Sequence, residues 1–239
     1  MAFQPIVDVE AREVYAYEAL VRGPKGESAF SVLSQVTKVN QYAFDQNCRV
    51  AAIMTAARLG LAETGARLSI NFMPGAVYSA LACIRLTLDT ARTYAFPLER
   101  LIFEITEGEE VLDKGHLRGI VEDYRRLGFK VALDDFGSGY SGLNLVADLP
   151  VDHLKLDMEL VRHLPQRPRA LAVVKSVMAL AAVLGQDVVA EGVETVAEYL
   201  AVRDCGIRLM QGYLFAKPGF ELLPEVNWPE TEQSKLFVA

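Results

Sequence analysis

The chain has 239 residues, 24 basic against 31 acidic side chains for a formal net charge of −7, and 51% hydrophobic residues. That length and composition fit one compact domain with a core of its own and exclude a disordered or disulfide-dependent chain. The acidic balance argues against holding polymeric nucleic acid on a broad basic face, and leaves room for a small phosphorylated ligand held locally.

Short apolar runs rich in β-branched residues alternate with longer segments of helical period, and no low-complexity linker divides them. The chain opens with two expected strands, Phe3 to Val9 and Val14 to Leu20, followed by expected helices over Ser31 to Val39 and Gln41 to Leu59. A strand at Arg67 to Asn71, a helix at Leu81 to Thr93, a strand at Leu101 to Ile105 and a helix at Lys114 to Leu127 come next. The remainder reads as strands at Lys130 to Leu133, His153 to Leu156, Val188 to Ala190 and Leu209 to Gln211, with helices at Arg169 to Leu184 and Val196 to Asp204. Gly60, Gly128, Gly185 and Gly206 each follow a helical segment, where a left-handed cap favours glycine. This count of strands in a chain of this length matches an α/β fold of the TIM-type (β/α)8 barrel class, typically about 250 residues. A doubly wound open sheet is the weaker alternative, because no glycine-rich phosphate fingerprint follows the first strand.

Cys48, Cys83 and Cys205 are far apart and form no CxxC pair, and His116, His153 and His163 have no metal-ligand spacing. The cysteines read as inert thiols in a reducing compartment, and neither set offers a zinc site. The N-terminus lacks the basic and apolar regions of a signal peptide, and the longest uncharged stretch, Leu68 to Ile84, is broken by Asn71, Pro74 and Gly75. A cytoplasmic protein without a membrane segment is expected.

Function is carried by the polar residues that close the strands. Glu18, Asn71, Glu104, the Asp134-Asp135 pair, Lys155, Glu191 and Gln211 each end or interrupt an apolar run. In a barrel such positions converge on the C-terminal rim, where active sites of this architecture lie. One carboxylate there would be a solvated strand end; a polar group on seven strands in turn is a site. Converging carboxylates raise one another's pKa unless a cation shares them. With Asn71 the only other ligand type and no Cys or His available, the all-oxygen set selects Mg²⁺, Mn²⁺ or Ca²⁺. Adjacent Asp134 and Asp135 can serve two ions, the arrangement that activates water and stabilises a leaving oxygen in phosphodiester displacement. Lys155, inside an apolar strand, can hold that water or neutralise charge on the phosphorane.

The sequence Tyr17-Glu18-Ala19-Leu20-Val21-Arg22 resembles the signature of the EAL domain, the bacterial cyclic di-GMP phosphodiesterase. The other motifs follow in the family's order. They are Gln4-Pro5-Ile6, Ser69-Ile70-Asn71, Phe103 to Glu107, Asp134 to Ser141, Leu154 to Asp157, Ala190 to Thr195 and Gln211-Gly212-Tyr213. The resemblance runs from Phe3 to about Pro218, so residues 1–229 are expected to form the barrel and 230–239 a C-terminal tail. It implies a barrel modified by one antiparallel strand, and hydrolysis of cyclic di-GMP to linear pGpG by in-line attack of a water activated by two metals. Mg²⁺ or Mn²⁺ would serve, and Ca²⁺ would inhibit.

The same resemblance assigns Glu18, Asn71, Glu104 and Asp134 to the first ion and Asp134 and Asp135 to the second. Glu191 is placed near the second ion as general base, Lys155 on the nucleophilic water, and Glu104 also among the catalytic groups. Gln4, Leu20 and Arg22 match dinucleotide contacts, and Gln211 lies at the rim of the site. Glu107 matches the glutamate that anchors the glycine-rich loop at Gly137, Gly139 and Gly142, through which the family links the metal site to a homodimer contact. Asp157 and Glu194 are expected in supporting or capping roles, and the helix from Ala170 in the core. Input is expected from a sensory or regulatory domain outside this chain. Two other functions stand beside this one: a catalytically silent cyclic di-GMP receptor, whose members lose metal ligands, and a barrel lyase using Lys155 as a Schiff base.

Overall fold

The computed structural model describes residues 1–74, 80–106, 114–139 and 142–229. Its centre is a closed barrel of eight strands: β1 (Ala2–Asp8), β2 (Glu13–Leu20), β3 (Arg67–Asn71), β4 (Leu101–Thr106), β5 (Lys130–Phe136), β6 (His153–Leu156), β7 (Asp187–Ala190) and β8 (Leu209–Gln211). Strands β2 to β8 pair in parallel and in chain order. β1 closes the ring by pairing antiparallel with both β2 and β8. A ninth strand, β9 (Gly219–Phe220), extends β1 at its start.

The reversal of β1 has a local cause. Only residues 9–12 separate it from β2, too short a connection to cross over to a parallel neighbour, so the two strands form a hairpin. Asp8 Oδ1 accepts the backbone N–H of Glu10 and Ala11, both at 3.0 Å, and Arg12 takes the left-handed conformation that completes the turn. Pro5 sits where β1 has β2 on one side but neither β8 nor β9 paired on the other, so its missing N–H leaves no gap in the ladder.

Helices cover the outside: α1 (Ala29–Leu33), α2 (Gln41–Arg58), α3 (Ala80–Thr93), α4 (Lys114–Arg126), α5 (Gly142–Asp148), α6 (Met158–Val161), α7 (Pro168–Leu184) and α8 (Val196–Asp204). The four helix-ending glycines expected from sequence all have positive φ. α7 buries Ala170, Val174, Val177 and Ala181 against the barrel, as a core helix should.

Several elements differ from the reading of the sequence. The helix expected over Ser31 to Val39 is a single turn ending at Leu33. Beyond it the Asn40 side chain accepts from Thr37 N and donates to Gln35 O, offering the backbone a turn in place of a helix. α5, α6 and β9 are too short to announce themselves by periodicity. At the end of the barrel unit Asn227 N donates to Phe215 O at 2.8 Å and Trp228 packs between Phe215 and the Arg12 guanidinium. The tail at 230–239 lies outside the described residues.

The barrel interior is tiered. Ile6, Ala16, Ile102, Ala132, Val189 and Leu209 form one apolar cluster inside the ring. Because side chains on a strand repeat on the same face every second residue, the next inward positions toward the rim are Gln4, Glu18, Glu104, Asp134, Glu191 and Gln211. β1 supplies Gln4 from its N-terminal side because it alone runs the other way. The outer faces of the strands, Phe3, Leu68, Ile70, Phe103, Val131, Leu133 and Leu154 among them, are buried under the helices. The apolar layers on both faces of the wall fix the strands, and the wall fixes the polar tier.

Candidate active site

Lys155 is at the centre of that tier. Its Nζ lies 2.8 Å from Glu104 Oε2, Asp134 Oδ1 and Glu191 Oε1, and 3.4 Å from Glu18 Oε2. The side chain is 1% exposed. Glu18 also accepts Gln211 Nε2 at 2.7 Å on Oε2 and Asn71 Nδ2 at 3.1 Å on Oε1. Gln211 is held in turn by Gln4, whose Oε1 accepts the same Nε2 at 3.2 Å while its Nε2 donates to Ala216 O. Gln4 is thus buried and spent on bracing Gln211 against Glu18. Glu104 Oε1 accepts the hydroxyl of Ser69.

Asp134 and Asp135 are neighbours, and on a regular strand they would face opposite sides of the wall. β5 avoids this with an irregularity: Leu133 pairs with Leu154 and Phe136 with Leu156, so β5 uses three steps where β6 uses two. Asp135 takes a φ of 55° there, a costly conformation for a side chain other than glycine and one that clusters at functional sites. Both carboxylates thereby reach the rim.

The acidic side chains form two groups whose ligand atoms lie within 4.8 Å of one another, Glu18–Glu104–Asp134 and Asp134–Asp135–Glu191. Asp134 belongs to both. Its Oδ1 is buried with Lys155 Nζ at 2.8 Å beside it, and Gln211 Oε1 is buried without a donor among the described residues. Crowded, oxygen-only and short of donors, this set fits divalent cations.

The protonation energetics agree. Burial pushes the Glu104 carboxyl well above the usual carboxylate range despite the Lys155 charge, and burial raises Asp134 as well. Asp135 is raised to about 6 by burial and the charge of Asp134, and Glu191 to about 8 by burial and by Asp134 and Glu18. Glu18 is the exception. Burial works against its charge, but Lys155 together with the Gln211 and Asn71 hydrogen bonds holds its pKa below the ordinary value. Lys155 is also buried, yet its four acidic neighbours raise its pKa well above the ordinary value. A Schiff-base lysine needs the opposite, a depressed pKa, so the lyase reading fails on electrostatics.

Leu20 and Asn71 line a cavity of about 320 Å³ beside the tier, with Phe44, Asp45 and Phe72. Arg22 lines a second, more open one of about 370 Å³, and Phe44 borders both. Arg22 Nη1 donates to the carbonyl of its neighbour Val21, at 2.7 Å, and among the described residues the guanidinium pairs with no carboxylate. Glu107, Tyr140 and Ser141 lie outside the described residues, so the loop anchor has no structural account here. Asp157 caps α6 by accepting Glu159 N, and Glu194 pairs with Arg162 at 3.8 Å. Burial pushes the Cys48 thiol up to about 11, which disfavours its thiolate.

Some site residues escaped the sequence reading. Ser69 was within a quoted motif but carried no role. Glu198 had a legible signal, the Thr195-Val196-Ala197-Glu198 capping box, and its carboxylate binds the loop that follows Glu191. Buried Asp45 joins α2 to the segment after β3, accepting Met73 N at 3.0 Å and pairing with Arg49. Gly192 and Gly212 are required sterically: a Cβ at the first would overlap Met158, and at the second the Val193 backbone.

Fold and site together define a TIM-type barrel whose C-terminal rim carries an acidic centre able to hold divalent cations. Residues 1–218 match the family model described as the EAL domain, and the chain belongs to that family. It is 31% identical over 231 residues to the cyclic di-GMP phosphodiesterase PA2567 of Pseudomonas aeruginosa, an alignment covering 94% of this chain and 38% of that protein. A standalone EAL protein of Vibrio cholerae O395, solved with c-di-GMP bound, superposes with a TM-score of 0.91 at 52% identity, covering 95% of this chain and 94% of that one. Klebsiella pneumoniae BlrP1 in a manganese and cyclic di-GMP complex superposes at 0.89 with 34% identity, over 97% of this chain and 58% of that one. BlrP1 has also been solved in a calcium and cyclic di-GMP complex. The chain thus spans only about two fifths of PA2567. Among the described residues no helix is long and apolar enough to cross a membrane.

Proposed function

We propose that this chain hydrolyses cyclic di-GMP to linear pGpG in the presence of Mg²⁺ or Mn²⁺. The observation that carries the reading is the pair of carboxylate groups sharing Asp134. Glu18, Asn71, Glu104 and Asp134 would hold one ion, and Asp134, Asp135 and Glu191 the other. Bound there, the two ions would activate water for in-line attack and stabilise the leaving oxygen. Ca²⁺, which accepts longer and more variable contacts, would occupy the site without supporting turnover.

The chain's own residues have distinct tasks in this scheme. Of the four carboxylates around Lys155, Glu191 has the most exposed side chain, which supports it as the base that would take a proton from incoming water. Lys155 supplies a positive donor where charge develops on the phosphorane. Arg22, paired with no carboxylate among the described residues, suits a phosphate or guanine edge, with Leu20 and Gln211 bordering the same ligand. The silent-receptor alternative is the weaker one, since every ligand position keeps an oxygen donor.

We place residues 1–229 as the catalytic unit, working in the cytoplasm as a homodimer whose contact includes the segment after Asp135. A sensory or regulatory domain outside this chain would supply the input, and family resemblance supports these last points. Asp134→Asn decides the main reading. It should abolish cyclic di-GMP cleavage at saturating Mg²⁺ while the circular dichroism spectrum is unchanged; near-normal turnover would refute the assignment.

A further inference from the structure

Of the four carboxylates around Lys155, Glu104 is the one cut off from solvent, its side chain 0% exposed. It belongs to the Glu18–Glu104–Asp134 group and not to the Asp134–Asp135–Glu191 group. Its Oε1 accepts the Ser69 hydroxyl, and its Oε2 accepts the Lys155 ammonium at 2.8 Å. A carboxylate oxygen that accepts one hydrogen bond keeps a lone pair for a cation, so both contacts can persist with an ion in place.

Ser69 is out of keeping with the apolar floor it adjoins. It is fully buried on the inner face of β3, in register with Glu18 on one side and on the other with Ile102 of the apolar cluster inside the ring. A buried hydroxyl costs free energy unless it is hydrogen-bonded, and alanine would fit the strand without that cost. The bond to Glu104 runs diagonally. Glu104 is paired with Asn71, and Ser69 lies two residues further from the rim, within reach of a long side chain. The hydroxyl therefore draws one oxygen of Glu104 back toward the floor while the ammonium holds the other.

We infer that Ser69 is a positioning residue for one ion only: its hydroxyl fixes the Glu104 carboxylate for the ion held with Glu18 and Asp134, and leaves the ion at Asp135 and Glu191 untouched. The inference rests on the two-cation reading above. Glu18 is held by Gln211 and Asn71, and the irregularity of β5 aims Asp134 and Asp135. Glu104 sits where β4 pairs regularly with both neighbours, so its aim has to come from side-chain partners. Loss of such a partner typically weakens metal binding about 10- to 100-fold. Because Ser69 touches one group alone, the loss should fall on one ion, whereas a general loosening of the rim would weaken both.

Mn²⁺ binding to the whole chain, without nucleotide and read from the electron paramagnetic resonance of the free ion, tests this. Of the two ions bound by wild type, Ser69→Ala should weaken one about tenfold or more and spare the other. Two backgrounds identify which. In Asp135→Asn the ion at Glu18, Glu104 and Asp134 should be the one retained, and adding Ser69→Ala should weaken it about tenfold. In Glu18→Gln the ion at Asp135 and Glu191 should be retained, and adding Ser69→Ala should leave its dissociation constant within about twofold. Should Ser69→Ala alter the circular dichroism spectrum, Ser69→Cys, which offers only a weak donor, takes its place. Affinities unchanged by the loss of Ser69, or both ions weakened alike, would overturn the inference while leaving the metal reading intact. A wild-type chain that binds no Mn²⁺ would overturn both.

Discussion

Glu198 offers a test of how the site is held, away from the metal ligands themselves. Its carboxylate accepts three backbone N–H groups: His163 on Oε1 at 2.8 Å, and Glu194 and Thr195 on Oε2 at 3.1 and 3.0 Å. Burial works against its charge, and these amides still hold its pKa below the ordinary value. One side chain therefore ties the loop after Glu191 to the loop after α6, while Gly192 presses against Met158 at the junction. Glu198→Ala leaves three donors without their acceptor. At about 1 kcal/mol net for each hydrogen bond, the loss should be about 3 kcal/mol, or a fall in Tm of about 6 to 12 °C for a domain of this size. Glu198→Gln keeps one acceptor oxygen and should lose about half as much. Turnover should fall with little change in KM, because the loop carries Glu191 and not the dinucleotide contacts. Urea unfolding and steady-state kinetics on the same preparations check both parts. An alanine variant within about 0.5 kcal/mol of wild type, the range of an ordinary surface change, with unaltered kcat, would show that Glu198 does not hold the loop.

Three further outcomes follow from other parts of the molecule. Burial pushes His153 down to about 4 from its ordinary 6.5 while Tyr15 OH lies 2.6 Å from its Nε2. Its folded pKa lies below the unfolded one, so its neutral form stabilises the fold fully above about pH 6.5 and loses that contribution, about 3 kcal/mol, as pH falls to about 4. The stability difference between wild type and His153→Gln should shrink over that window; a difference independent of pH would contradict it. Gly212→Ala should cost about 3 kcal/mol or more by forcing the Val193 backbone from Gln211, whereas Gly65→Ala, with open space around it, should stay within about 0.5 kcal/mol; equal melting temperatures would contradict the steric argument. Arg22→Ala should leave stability unchanged and weaken cyclic di-GMP binding by about 1.5 to 3 kcal/mol; an unchanged dissociation constant would remove Arg22 from the site.

The rim was legible in the sequence because each inward-facing polar residue interrupts an apolar run, so Glu18, Asn71, Glu104, Asp134, Lys155, Glu191 and Gln211 stood out by position alone. Arrangement within the rim was not. The irregularity that turns Asp135 inward depends on pairing with β6, and the contacts of Lys155 with four carboxylates depend on strands far apart in the chain. The antiparallel direction of β1 came only from resemblance, although the gap at residues 9–12 is itself too short for a crossover and could have settled it. The helix expected over Ser31 to Val39 failed because Asn40 stabilises a turn that helical periodicity does not register.

Cleavage of a cyclic dinucleotide at the centre built on Asp134 is tested most directly by incubating the purified chain with cyclic di-GMP and Mg²⁺, with Ca²⁺ as the parallel sole metal, followed by chromatography of the nucleotides. Conversion to pGpG is expected with Mg²⁺ and none with Ca²⁺. Cyclic di-GMP recovered intact at saturating Mg²⁺ from a folded sample would contradict it.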